Sequence, residues 1–263
     1  MNKTVLITGA SKGIGKQTAF IFAENNFNLI LVARNKELLE EVKNTIKAEY
    51  QVEVLIISKD LTQKNAAKEI LKQVINKKLR VDILINNAGF GDFSAYLDSK
   101  WDKQERIVEL NIKALMELSY LFGKEMKKIN EGQIINVASA AAVSPGPYMA
   151  VYYASKAFVL SFTEALAEEW KDSDVKIKVI CPKATKSNFE EAAQMQDSEM
   201  FIKLRASTAT EVAKAIYKLS NLKKTVYFYS LFSKSINVAN RLTPRIVSRK
   251  VAGIINGVPT DKT

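Results

Sequence analysis

The chain has 263 residues, 47% of them apolar and 25% charged, a balance that disfavours a disordered or membrane-spanning class and allows one α/β domain with a well-buried core. Histidine is absent, which removes Ser-His-Asp and Cys-His catalysis and every histidine-ligated metal site, so proton chemistry falls to Tyr, Lys, Ser, Cys or carboxylates. A formal net charge of +11 suits nucleic acid, an anionic membrane surface or a polyanionic cofactor, and the interspersed lysines and acids read mainly as solvated helix faces.

Apolar runs of strand length alternate with amphipathic helical stretches, the mark of parallel β-α-β construction. Strands are expected at Thr4 to Thr8, Asn28 to Ala33, Val52 to Ile57, Ile83 to Asn86, Gln133 to Ala138, Lys176 to Cys181 and Thr225 to Phe228. Helices are expected at Gly13 to Asn25, Lys36 to Tyr50, Lys64 to Lys77, Trp101 to Lys128, Ala150 to Trp170 and Thr210 to Asn221, each with apolar residues at three- and four-residue spacing. The pattern predicts a doubly wound, mostly seven-stranded parallel sheet of the Rossmann type with helices on both faces, spanning 1–263 as one unit. Ligands of such sheets bind beyond the carboxyl ends of the strands, where strand order reverses. Residues 183–207 break the alternation and are expected to form a lid over substrate. The lone Cys181 cannot form an internal disulfide and no export signal is legible, so a cytoplasmic location is expected.

The first strand runs into Thr8-Gly9-Ala10-Ser11-Lys12-Gly13-Ile14-Gly15 and then a helix. Glycines let the backbone turn tightly and approach a pyrophosphate, whose charge the free N–H groups of the helix attract. Further along stand Asn86-Asn87-Ala88-Gly89 after the fourth strand, Asn111 in the next helix, Ser139 at the end of the fifth strand, and Tyr152-Tyr153-Ala154-Ser155-Lys156. Tyr152 and Lys156, four apart, share one helix face. A phenol is a poor acid or base at neutral pH, but an adjacent ammonium favours its phenolate and is expected to bring its pKa down.

In type, order and spacing these residues resemble the short-chain dehydrogenase/reductase family over about residues 3 to 190. The resemblance implies an NADP(H)-dependent oxidoreductase that moves a hydride between nicotinamide and a carbonyl or alcohol carbon. Tyr152 is then the acid or base, its phenolate favoured by Lys156 and by the nearby cationic nicotinamide together, Ser139 bonds the substrate oxygen, Lys156 also holds cofactor ribose, and Asn111 holds a water in a proton relay. Gly9, Ser11, Lys12, Gly13, Ile14 and Gly15 are expected at the pyrophosphate, with Asn87, Ala88 and Gly89 beside the cofactor. Asp60 and Leu61 match the family's adenine-side contact. An acid at the end of the second strand would bond the adenosine ribose 2′-OH and repel a 2′-phosphate. Ala33 stands there instead, followed by Arg34, which can meet a 2′-phosphate together with Lys12; NADP(H) is the expected cofactor. Cys181-Pro182-Lys183-Ala184-Thr185-Lys186-Ser187 is similar to the family's nicotinamide-side loop, with Pro182, Ala184 and Ser187 as contacts. Lys183 replaces the family's glycine, so a left-handed backbone there would cost roughly 1 kcal/mol or more.

Phe90, Phe93, Tyr148, Met149 and Phe189 are expected to line an apolar pocket for a hydrophobic ketone or aldehyde. From Ser233 to Gly257 the chain carries Lys234, Arg241, Arg245, Arg249 and Lys250 amid apolar residues, and Pro244 divides it into two short amphipathic helices. This extension can pack on the sheet or a neighbouring subunit, or touch a membrane surface peripherally; nucleic acid is not expected, because no recognised binding module is present. The resemblance implies a homo-oligomer, a dimer or tetramer. The rival reading is a non-catalytic NADP(H)-binding or membrane-associated interaction protein on the same fold.

Overall fold

The structure, a computed structural model, describes residues 2–186 and 206–257. Its first half alternates β1 (Thr4–Thr8), α1 (Gly13–Glu24), β2 (Asn28–Ala33), α2 (Lys36–Glu49), β3 (Val54–Ser58), α3 (Ala66–Asn76) and β4 (Ile83–Asn86). There follow α4 (Trp101–Val108), a π-helical segment (Glu109–Ala114), α5 (Leu115–Lys128), β5 (Gly132–Val137), a 3₁₀ turn (Ala140–Val143), α6 (Ala150–Glu169) and β6 (Val175–Ile180). The rest comprises β7 (Thr185–Lys186), β8 (Ser207–Thr208), α7 (Ala209–Ser220), β9 (Val226–Tyr227), α8 (Leu231–Leu242) and α9 (Arg245–Asn256).

Seven parallel strands form one sheet in the order β3-β2-β1-β4-β5-β6-β9, as the alternation predicts. Order reverses between β1 and β4, so the carboxyl ends of these two strands open a crevice. Helices cover both faces because the central strands are apolar on both sides. Val5, Ile7, Leu29 and Leu31 pack with Phe22 of α1 and Ile216 of α7 on one face. Leu6, Ile30, Leu84 and Ile134 pack with Ile70 of α3 and Phe122 of α5 on the other.

The structure corrects the sequence expectations in several places. Strand and helix ends shift by one or two residues; β3, for example, starts at Val54 rather than Val52. The helix expected to run unbroken from Trp101 to Lys128 contains the π-helical turn, centred on Asn111, that spacing alone does not reveal. Of the expected lid at 183–207, residues 187–205 lie outside the described residues. Its two ends pair as β7 and β8 in a short parallel ladder. Lys183 is not among the residues with positive φ, so the strain expected from its replacing a glycine does not arise. Pro244 separates α8 from α9 as expected.

Candidate active site

Beyond the carboxyl ends of the strands lies a cleft of about 980 Å³. It begins at the glycine turn, where Gly9 and Gly13 take left-handed φ of 67° and 54°. A side chain at Gly15 would collide with the carbonyl of Gly9, so only glycine lets α1 start against β1. Thr8 and Asn87 fasten this turn: Thr8 Oγ1 accepts from the amides of Asn87 and Ala88 at 3.0 Å, and Asn87 Nδ2 donates to the Thr8 carbonyl at 2.9 Å. Asn87 therefore shapes the turn with its side chain besides lining the cleft. No side chain caps α1 and no acid stands in its first turn, so its N-terminal amides, with Ser11, Lys12, Gly13 and Ile14 at the cleft wall, are available to an anion.

Farther along the crevice, Arg34 and Lys12 are exposed at its rim. Asp60 and Leu61 line the same end. Burial raises the Asp60 pKa, but hydrogen bonds from Thr62 and the charges of Arg34 and Arg106 outweigh it and hold the carboxyl below its ordinary value. Thr62 donates through N at 3.0 Å and Oγ1 at 2.8 Å, and Arg106 Nη2 lies 3.4 Å away. Arg106, which sequence reasoning missed, brings a further cation to this end of the cleft from α4, a helix whose charged face reads as ordinary solvated surface.

On α6, Tyr152 and Lys156 share a face as expected, with Lys156 Nζ 5.8 Å from the Tyr152 ring centroid. The Tyr152 side chain faces Ser139, whose polar side chain favours its phenolate, so the end of β5 and α6 meet here. Ser139 Oγ also accepts from the amide of Ala141 at 3.1 Å. Lys156 Nζ donates to the Val137 carbonyl at 2.9 Å. In the protein's own field the phenol pKa does not fall; the expected lowering rested also on the charge of the nicotinamide. Burial pushes Tyr152 up to about 12, against the lowering influence of Ser139, and burial pulls Lys156 down to about 8. Desolvation is the largest cause of both shifts.

Asn111 is buried on the π-helical segment. Its Oδ1 accepts from the Phe90 amide at 3.1 Å, and its Nδ2 donates to the Phe90 carbonyl at 2.9 Å and to Ser155 Oγ at 3.0 Å. Its side chain thus ties the loop after β4 to α6. A Cβ on Gly89 would lie 3.0 Å from Asn111 Oδ1 and 3.4 Å from Lys156 Nζ, so Gly89 keeps open the space in front of the lysine.

Pro182, Lys183 and Ala184 line the cleft from the loop after β6, while Ser187 lies outside the described residues. Phe90 and Met149 line it as expected. Phe93 and Tyr148 do not. Their rings pack edge to face at 6.4 Å, and Phe93 rests on the Met149 cluster instead. Phe189 lies outside the described residues. The wall comes instead from α8 and α9, through Ile236, Ala239, Val247, Val251 and Ile255. Their spacing was legible as one amphipathic face, but nothing in the sequence said what that face would meet.

Comparison with known proteins agrees with this architecture. The family model described as short chain dehydrogenase matches residues 3–198. The chain is 33% identical to human 17-beta-hydroxysteroid dehydrogenase type 3 over 186 residues, 70% of this chain and 59% of that protein. It is 31% identical to the 3-oxoacyl-[acyl-carrier-protein] reductase of Staphylococcus epidermidis over 183 residues, 69% of this chain and 75% of that one. The chain spans about 60% of the length of the hydroxysteroid dehydrogenases that it matches. Among solved structures, the short-chain dehydrogenase from Sphingobium yanoikuyae in complex with NADPH superposes with a TM-score of 0.81 at 27% identity, covering 91% of this chain and 94% of that one. With the motifs, the strand order and the family match in agreement, the chain belongs to the short-chain dehydrogenase/reductase family.

Proposed function

We propose that this protein is an NADP(H)-dependent oxidoreductase that interconverts a carbonyl compound, a hydrophobic ketone or aldehyde, and its alcohol. The observation that carries the reading is the convergence of Ser139, Tyr152 and Lys156, the last beside the tyrosine ring, in the same cleft as an uncapped glycine turn. The residues present fit a dinucleotide. The amides at Ser11 to Ile14 would take the pyrophosphate, the space kept open by Gly89 would admit the nicotinamide riboside beside Lys156, and Asp60 with Leu61 would stand at the adenine. Arg34 and Lys12, with no acid at the end of β2, favour a 2′-phosphate; the NADPH complex of the similar Sphingobium protein supports this choice.

When bound, NADPH supplies the hydride. The protein's part is to position the substrate and move the proton. Ser139 Oγ donates to the carbonyl oxygen and Tyr152 Oη delivers its proton to that oxygen as the C–H bond forms, leaving an alcohol and a phenolate. A phenol whose pKa burial holds near 12 stays protonated at neutral pH, which suits it to the reductive direction. The ammonium of Lys156 stabilises the phenolate until it is reprotonated. The apolar wall from α8 and α9 excludes water and accepts an alkyl or ring substituent. The complete Ser139, Tyr152 and Lys156 set disfavours the non-catalytic alternative.

The test is a panel of ketones and aldehydes read by NADPH absorbance, with Tyr152→Phe beside the natural chain. Turnover should fall at least about 10²-fold with NADPH affinity retained. An unchanged rate rejects Tyr152 as the acid.

A further inference from the structure

Helices α8 and α9 have two working faces. The inner face walls the cleft. The outer face presents Leu231, Val238 and Leu242 from α8, at positions i, i+7 and i+11, and Ile246 and Ile254 from α9, eight apart. Leu231, Leu242 and Ile254 are 84%, 81% and 75% exposed, far beyond what a water-facing helix needs and unlike any core position. Around them stand Lys234, Arg241, Arg245, Arg249 and Lys250, all exposed, and no acidic residue lies between Leu231 and Gly257. None of the five forms an ion pair among the described residues.

We propose that α8 and α9 dock the protein on an anionic phospholipid bilayer through this outer face, which sets the substrate cleft at the lipid surface. Two features select this occupant. Nucleic acid would neutralise the cations but leave the exposed leucines and isoleucines in water. A second copy of the chain would cover the apolar residues but bring five more cations against the first five. Acyl chains take the former while anionic headgroups take the latter. Among the described residues no helix is long and apolar enough to cross a membrane, so the attachment is peripheral. The inner face gives the docking its purpose: Val247, Val251 and Ile255 line the cleft on the helix whose other side meets lipid. The substrate class that follows, a carbonyl compound dissolved in the bilayer, rests on the hydride-transfer reading; the docking itself does not.

The test is sedimentation of the full chain with phosphatidylcholine vesicles, with and without phosphatidylglycerol. The natural chain should partition onto the anionic vesicles, and added salt should weaken it. Each cation near an anionic surface is worth about five-fold, so the double variant R249E/K250E should bind at least about 25-fold more weakly. L242S/I254S should lose at least about ten-fold through the apolar contacts. These four side chains lie outside the cleft, so a thermal melt and NADPH binding serve as folding controls. Failure of the natural chain to sediment with anionic vesicles, or sedimentation of both variants equal to that of the natural chain, overturns the docking. So does a dimer in analytical ultracentrifugation that L242S/I254S abolishes in a chain indifferent to vesicles. Reduction of a water-soluble ketone is measured in parallel: loss of vesicle binding with that activity intact defeats the docking alone, and vesicle binding without turnover of any carbonyl defeats the hydride-transfer reading alone. A long-chain methyl ketone carried in anionic vesicles should be reduced at least about ten-fold more slowly by R249E/K250E, and an equal rate overturns the bilayer as its source.

Discussion

Replacing Asn256 by alanine removes the two hydrogen bonds that fasten α9 to α6 and to the loop just before it. Asn256 Oδ1 accepts from the Tyr153 hydroxyl at 2.8 Å and Nδ2 donates to the Pro147 carbonyl at 2.8 Å. The Pro147 carbonyl can only accept, which sets the orientation of the amide. Only Ala252 and Asn256 of α9 are buried, so little else holds it there. Truncation leaves a partly buried hydroxyl and a partly buried carbonyl without partners, each costing about 1–2 kcal/mol, the lower end for such groups, or about 2–4 kcal/mol together. Detaching the helix wets both groups, so the cost should appear as local opening of α9, roughly thirty-fold to several-hundred-fold more frequent than in the natural chain. Amide hydrogen exchange reads this directly: α9 should exchange faster while β1 is unchanged. Because α9 walls the cleft, KM for a hydrophobic carbonyl should rise with NADPH affinity preserved. Asn256→Asp keeps the acceptor for Tyr153 and should fall between the two. If α9 exchanges within about three-fold of the natural chain in Asn256→Ala, a change below 1 kcal/mol, the bonds do not anchor the helix and the reasoning fails.

Arg34→Ala should weaken NADPH by about 10- to 100-fold, the worth of a charge-assisted contact, and NADH much less; equal losses in fluorescence titrations remove the case for a 2′-phosphate contact. The phenolate fraction of a group with pKa near 12 grows about ten-fold per pH unit, so kcat/KM for alcohol oxidation should climb between about pH 7 and 9 while reduction does not; an oxidation profile flat across that range argues against Tyr152 as the base. Lys178, a buried lysine in β6, donates from Nζ to the carbonyls of Leu219, Ser220 and Leu222 at 3.1, 3.2 and 2.7 Å, and burial pulls its pKa down to about 8. Its folded pKa lies below the unfolded one, so above about pH 8 the unfolded chain holds more protons and stability rises with pH. Urea unfolding should show Lys178→Met lacking about 1 kcal/mol of the gain that the natural chain makes between about pH 8 and 9; identical slopes would contradict the assignment.

Much of the catalytic centre was legible because it obeys short-range rules. Glycines at 9, 13 and 15 are demanded by a turn that only glycine can make, and a four-residue interval puts Tyr152 and Lys156 on one side of any helix. The apolar runs were enough to place seven strands, because a strand buried on both faces has little choice of composition. Other features had no local signature. At the π-helical turn the Asn111 side chain bonds both backbone groups of Phe90, a residue 21 positions away in sequence, a contact no local pattern announces. The direction of the Tyr152 shift likewise depended on burial, which belongs to the assembled fold and not to the pair.

The amino-acid order by itself determined the parallel architecture, the glycine turn, the shared face of Tyr152 and Lys156 and the break at Pro244, since each follows from backbone sterics or from periodicity within one element. Tertiary structure alone decided that Phe93 and Tyr148 turn away from the cleft, that Arg106 joins Arg34 beside Asp60, and that the last two helices close the substrate wall. Those outcomes depend on which surfaces meet. An amphipathic helix announces that it has an apolar face but carries no information about the partner until the chain has brought one to it.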